Sequence, residues 1–269
     1  MIGALLLCMT ATLAAPDEFD DFFKEFAAKR AGIQILEADI EERTFEFDEV
    51  NLRTGHVVFG QPRRIIFRYD NDEPTVMVDD RRVYEYDPLE EQLQIYDIDD
   101  SPESAIFFLG FDSDPGALRE AYDVRLFTTK NDQGNQGIII RPFKENMENA
   151  PFQEVSIYLR DEDFLPYMIL INLDDDAKMR TEFSNFKTNQ AIPPSKTQLR
   201  IPADTRIIEN GEVTIHAVPP GGLLVPPTPL DVPTDAAGVS EKEKDAPAPA
   251  PASDAKADGL VQVEVLPAP

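Results

Sequence analysis

The chain has 269 residues, with 25 basic side chains against 51 acidic ones and a formal charge of -26. That field repels nucleic acid and anionic lipid surfaces, which excludes nucleic acid as a partner and leaves only transient proximity to a membrane. A hydrophobic content of 42%, with 17 Phe, is ample for a core, while a single cysteine excludes a disulfide framework.

Residues 1–15 carry no charge and end in small residues before Pro16 and an acidic run. They read as the apolar core of a secretory signal peptide cut near Ala14 or Ala15, which marks the mature protein for export. The basic leader such signals carry is missing, as a start codon placed too far downstream would leave it. The segment is too short to span a bilayer comfortably. Cys8 lies inside it and follows Leu7, whereas a lipid-attachment cysteine normally follows a small residue, so the mature chain has no thiol.

From Asp17 to Arg30, Phe19, Phe22, Phe23 and Phe26 form one stripe at helical spacing, with an acidic first turn and a basic last turn. This predicts an amphipathic helix aligned with its own dipole. From Ile40 the period changes to two, and Thr44–Val50, Leu52–Phe59, Arg64–Tyr69, Thr75–Val78, Val83–Tyr86 and Leu93–Ile98 read as strands. Ser101–Gly110 reads as a short apolar helix, followed by another over Gly116–Ala121. Strands resume at Val124–Thr129, Gly137–Arg141, Gln153–Leu159, Leu165–Leu173, Lys178–Phe186 and Thr197–Ile201.

Antiparallel hairpins interrupted by one helical insertion predict an α+β fold, with a strongly curved sheet and helices on one face. Its core of roughly 190 residues buries about 70% of the unfolded surface and needs no staples. Residues 16–216 form this domain. Residues 217–269 hold 11 of the 23 prolines and no aromatic residue, a composition that cannot offset its chain entropy and predicts a disordered, acidic Pro/Ala tail. Within it, Leu260–Leu266 is a single apolar patch.

Motifs for chemistry are scarce. His56 and His216 stand far apart and fit no metal spacing, and no nucleophile elbow, phosphate loop or dinucleotide fingerprint is present. Asp79-Asp80, Asp97 with Asp99 and Asp100, and Asp174–Asp176 lack the spaced ligands of a calcium loop and read as solvated turns. The chain therefore reads as a binding protein without catalytic residues, metal or cofactor.

One hairpin is distinctive. Val78-Asp79-Asp80-Arg81-Arg82-Val83-Tyr84-Glu85-Tyr86-Asp87-Pro88, followed by Glu91-Gln92-Leu93, resembles nearly position by position the signature hairpin of the LolA family, the periplasmic carriers of outer-membrane lipoproteins. Gln61-Pro62-Arg63-Arg64-Ile65-Ile66-Phe67-Arg68-Tyr69 is similar to the family's preceding strand. Ala105–Gly110, Ile140–Pro142, Phe164–Met168 and Thr181–Phe186 resemble its later elements in the same order.

The resemblance runs from Phe22 to about Ile207. It implies an incomplete antiparallel β-barrel whose opening is lidded by helices around an apolar cavity. It also implies a monomer that takes acylated lipoproteins from an inner-membrane exporter to an outer-membrane acceptor. Carried over by position, Ile65, Phe67 and Tyr69, with Tyr84 and Tyr86, are the expected cavity wall. Phe22, Phe26, Ile106 and Phe107 are the expected lid.

The family's lid-closing arginine is Gln61 here, an uncharged residue that can still hydrogen-bond to lid backbone. Arg63 and Arg64 are the candidates to replace it. Two other functions remain open on the same half-barrel: a lipid- or lipoprotein-sensing module similar to envelope-stress regulators, and a structural domain whose interior is filled by its own side chains.

Overall fold

Four phenylalanines on one helical stripe need an apolar partner surface, and a long sheet supplies it. In the computed structural model the described residues are 18–61, 63–79, 81–98, 116–129, 133–215 and 217–225. All of them belong to the first of two units, Met1–Asp235. Helix α1 (Glu18–Arg30) is followed by β1 (Ile35–Glu46), β2 (Glu49–Gly60), β3 (Arg64–Tyr69), β4 (Thr75–Asp79), β5 (Arg82–Asp87) and β6 (Gln92–Asp97). After a short helix over Gly116–Ala121 come β7 (Tyr122–Thr128), β8 (Gln136–Pro142), β9 (Glu154–Leu159), β10 (Pro166–Asn172) and β11 (Ala177–Thr188). A helical turn over Pro194–Thr197 leads into β12 (Leu199–Ile201), β13 (Arg206–Glu209), β14 (Glu212–Ile215) and β15 (Leu223–Val225).

Thirteen of these strands form one sheet in the order β14-β13-β6-β5-β4-β3-β2-β1-β11-β10-β9-β8-β7. The sheet is curved and unclosed, an incomplete barrel, because β14 and β7 end it without pairing to each other. Its neighbours are antiparallel except β13, which runs parallel to β6.

Strand alternation decides what each face carries. On the inner face, α1 buries Phe19, Phe23 and Phe26 among Ile138, Ile140, Val155, Ile157 and Leu159. The same face continues through Ile169 to Leu36, Ile40, Val57, Phe59, Ile65, Val78 and Phe183. The C-terminal turn of α1 is fastened to the sheet. Arg30, buried, donates to the Phe164 carbonyl and stacks 4.1 Å from the Phe26 ring, and Lys29 lies 3.9 Å over the Phe164 ring.

The outer face of β3–β6 is also apolar, and the chain's own C-terminal part covers it. Leu199, Ile201, Ile207, Val218 and Val225 pack on Ile66, Met77, Tyr84, Leu93 and Ile95. Arg68 donates to the carbonyls of Ser195 (3.1 Å) and Gln198 (2.6 Å), and Lys196 lies 2.6 Å from the Glu37 carboxylate. This segment straps the outer side. Gly55 lets β3 cross β2, since a Cβ there would lie 2.0 Å from the Arg68 carbonyl oxygen.

Several expectations change. The strand expected over Thr44–Val50 is bent in two: β1 begins at Ile35, and its hairpin turn falls at Phe47 and Asp48. Phe47 takes a left-handed φ of 51° there, so no glycine or proline marks the turn. Residues 217–225, expected in the tail, belong to the fold instead, because β15 pairs with β12 and buries Val225; residues 226–269 lie outside the described residues. The β13–β14 hairpin was not anticipated, although Asn210-Gly211 at its turn is a strong hairpin signal. The helix expected over Ser101–Gly110, with Ile106 and Phe107, and the signal segment lie outside the described residues.

Burial pushes the Glu37 carboxyl up. The hydrogen bond and charge of Lys196, reinforced by Lys187, outweigh that and hold it below the usual carboxylate range. A depressed carboxyl stabilises the fold above its unfolded value near 4.5 and loses that contribution as pH falls through its folded value. Lys196→Met is therefore expected to move the acid-unfolding midpoint, followed by far-UV circular dichroism, to higher pH. Lys24→Met, on the exposed side of α1, is expected to leave it unchanged.

Candidate functional site

The inner face is apolar but not completely buried. In β3, Ile65 is buried, whereas Phe67 and Tyr69, two and four residues on, are only half-buried. Register continues the row: Ile65 faces Val78 and Phe67 faces Val76 across β4, and Val78 faces Val83 across β5. Val76 and Val83 are half-buried too. Further along the same face, on β7 and β10, Ile169, Ile171, Val124 and Leu126 are half-buried against the α1 cluster. Phe22 joins them from α1, stacked on Phe164 at 5.3 Å between ring centroids. The inner face thus offers a broad apolar surface that the protein's own described side chains only partly cover.

Of the expected cavity wall, Ile65, Phe67 and Tyr69 come together on this face. Phe22 and Phe26 lie on it in the neighbouring cluster. Tyr84 and Tyr86 do not. Asp79 pairs with Arg82, so Val78 faces Val83, and the two tyrosines point to the outer face with Met77 and Leu93. Counting from a two-residue turn at positions 80 and 81 would have placed Val83 on the inner row in their stead.

Gln61 lies where a clasp would. Its side-chain amide donates to the Ile33 carbonyl at 3.0 Å, tying the β2–β3 turn to the connection between α1 and β1. Arg64 is not the replacement clasp. It is buried on the outer side, where its guanidinium meets Asp79 at 3.2 Å and the Thr197 carbonyl at 3.5 Å. Arg63 is half-buried in the β2–β3 turn.

A polar group interrupts the apolar face at its β1–β2 side, and nothing in the spacing of its members announces it. Glu42, only 4% exposed, accepts from Arg53 Nε at 3.0 Å and from the Tyr69 hydroxyl at 2.8 Å. The Arg53 guanidinium lies 4.2 Å over the Tyr69 ring. Burial, and then the Glu42 charge, push the Tyr69 phenol well above its ordinary value, so it stays a donor. With Tyr69 and Arg53 both bound to it, this carboxylate is satisfied in place.

The outer face carries a groove of about 560 Å³ lined by Asp39, Thr54, His56, Asp70, Arg180 and Glu182 among others. Its lining is mixed, with Ile40, Tyr167, Met168 and Phe183 beside the polar groups. His56, exposed, lies 2.7 Å from Asp39, and Asn185 donates to the same carboxyl. Of the acidic runs, Asp174–Asp176 forms a turn, with Asp174 accepting from the backbone amides of Asp176 and Ala177, both at 2.8 Å; Asp79 and Asp97 instead end β4 and β6 and pair with Arg64 and Arg82. Among the described residues no group of three His, Cys, Asp or Glu is placed to hold a metal ion. None of their helices is long and apolar enough to cross a membrane.

Residues 36–199 match the family described as outer membrane lipoprotein carrier protein LolA. The chain belongs to the LolA family. The match runs from β1 to the first residue of β12, so α1 and the last three strands lie outside it. No functionally curated protein matches the chain.

Among solved structures, an uncharacterized conserved protein from Thermus thermophilus is 12% identical, with a TM-score of 0.46 over 72% of this chain and 100% of that one. A putative outer membrane lipoprotein-sorting protein domain from Vibrio parahaemolyticus is 9% identical, with a TM-score of 0.38 over 64% and 93%. A LolA superfamily protein from Nitrosomonas europaea is 10% identical, with a TM-score of 0.33 over 63% and 94%. At such distances these likenesses carry no argument about function, and membership rests on the family match.

The polar group is testable by itself. Arg53→Met strands the Glu42 carboxylate in a dry site and is expected to lower stability by about 2–3 kcal/mol. Adding Glu42→Gln should return most of that loss, so a double-mutant cycle from urea unfolding gives a coupling of at least ~1 kcal/mol.

Proposed function

We propose that this LolA-family protein holds the acyl chains of lipoproteins against its inner face and carries them through the periplasm from the inner to the outer membrane. The observation that supports this most is the row of half-buried apolar side chains, Phe67, Val76, Val83, Ile169, Ile171 and Leu126, on the face that α1 covers.

The physics requires such a surface. Exposing hydrocarbon to water costs about 0.8 kcal/mol per CH₂, or about 12 kcal/mol for one sixteen-carbon chain. A carrier must replace most of the bilayer's contribution yet release its cargo. An apolar wall that is already half-covered suits a loose grip. The acidic surface agrees with this role, since it keeps the loaded protein off anionic headgroups between encounters. The role is one of binding, and no step of it calls for a catalytic group.

The decisive residue is Phe67. In protein purified from envelopes rich in lipoprotein, native mass spectrometry is expected to find a bound acylated species. Phe67→Glu should reduce that species at least tenfold with little change in melting temperature, while Phe67→Leu retains it. Equal loading of the Glu variant would overturn the proposal. So would its unfolding, because a buried unpaired carboxylate unfolds a solid core and not the wall of an open one.

A further inference from the structure

Strands β1 and β2 pair along their whole length, from Glu46 and Glu49 at the turn to Ile35 and Gly60. Strand β3 joins β2 only from Gly55 onward, where Gly55 faces Tyr69. The β3–β4 turn leaves at that point, fixed by the Asp70 amide to the Thr54 carbonyl (2.8 Å) and by the Thr54 hydroxyl to Asp70 (2.7 Å). Among the described residues, residues 49–53 of β2 therefore have no strand on their far side, although β2 lies within the sheet and not at its end; β11 likewise outruns β10 beyond Glu182.

Sheets ordinarily protect such an edge with lysine, proline or a bulge. This one presents apolar side chains. Val50 is 60% exposed and Leu52 is 53% exposed, and beside them Phe47 at the hairpin turn is 84% exposed. Phe47 also holds a left-handed backbone that a bulky residue rarely adopts, so an aromatic ring is kept in water where Asn or Gly would be easier.

The edge is framed by acids. Asp48 and Glu49 stand at one end, and Asp70, Asp72 and Glu73 at the other. The two arginines of this half of the hairpin are already engaged, Arg53 by Glu42 and Arg43 by Glu41. The charge left over is negative.

We infer that residues 49–53 of β2 are a docking edge for a partner protein, which adds an extended segment with alternating apolar residues and flanking Lys or Arg. Backbone hydrogen bonds to the open edge supply affinity. Val50 and Leu52 pack against alternate side chains of the added strand, and the acids at both ends select a basic partner and set its register. The assignment is independent of what the inner face holds.

The probe is an acetylated, amidated peptide, Lys-Val-Thr-Val-Thr-Val-Lys, titrated into the full chain. Hydrogen exchange is expected to show new protection confined to residues 49–53 and the peptide. Binding should weaken at least tenfold in each of three cases: when alternate peptide amides are N-methylated, when the terminal lysines are replaced by glutamates, and when Val50→Lys and Leu52→Lys are introduced together. Both substituted side chains are exposed, so that variant should fold normally by circular dichroism.

Absence of binding at millimolar peptide would overturn the inference. So would equal binding of the N-methylated peptide, or protection elsewhere on the sheet. Concentration-dependent dimerisation through the same residues, seen by sedimentation and abolished in the lysine variant, would assign the edge to a second copy and overturn the basic partner.

Discussion

Between β2 and β6 the sheet is apolar on both sides, and that constraint governs how the rest of the chain is used. Ile65, Val78 and Val83 point one way and Ile66, Met77, Tyr84 and Leu93 the other. A sheet of this kind left bare would associate through whichever face stayed open. The protein resolves one side permanently. The chain after β11 crosses the outer face, buries Leu199, Ile201 and Ile207, and is pinned by Lys196 to Glu37 and by Arg68 to two of its carbonyls. The inner side receives α1 over β7–β10, whereas the β3–β5 wall stays half-covered. Between β2 and β6 the outer face is thus the more fully covered and the inner face the less.

The two covers differ in chemistry as well as in extent. The outer strap is held by ionic and multiple hydrogen-bonded contacts, which tolerate little displacement. Helix α1 is held mainly by packed rings, with polar anchors from Arg30 to the Phe164 carbonyl, from Lys29 to the Asp161 carbonyl and between Asp20 and Arg119. Ring packing is non-directional, so phenylalanine side chains can trade partners with hydrocarbon at small net change in free energy. The connection between α1 and β1 is tied in addition by hydrogen bonds from Gln61 to the Ile33 and Gln34 carbonyls and from Asn189 to the Gly32 carbonyl.

How much of this was legible in the residues varies from element to element. The Phe19–Phe26 stripe, the strands from Arg64 to Asp97 and the hairpins after Tyr122 follow from periodicity, because each is amphipathic at its own period. The first hairpin was misplaced: Thr-Phe-Glu-Phe-Asp-Glu-Val alternates straight through the turn, and the turn at Phe47 carries no residue that favours one. Tyr84 and Tyr86 were put on the wrong face because a family likeness conveys residue types and not register, which only the pairing of Asp79 with Arg82 settles. The Glu42, Arg53 and Tyr69 group joins three strands at sequence separations that no local pattern encodes. Arg64 looked available for the lid, yet parity sends it to the outer side.

The long first hairpin explains two further features at once. Because β1 and β2 each run twelve residues while β3 runs six, the distal half of the hairpin outgrows its neighbour. Beyond Gly55 the inner side of β2 no longer has β3 beside it. Near this boundary the face changes from Ile40 and Val57 to Glu42 and Arg53, neutralised against each other and roofed by Tyr69. The same excess length leaves backbone donors and acceptors of residues 49–53 facing water. An apolar strand edge in that position risks indiscriminate pairing, and the carboxylates at 48, 49, 70, 72 and 73 limit it by repelling the protein's own acidic copies. The chain's net charge of -26 acts in the same direction.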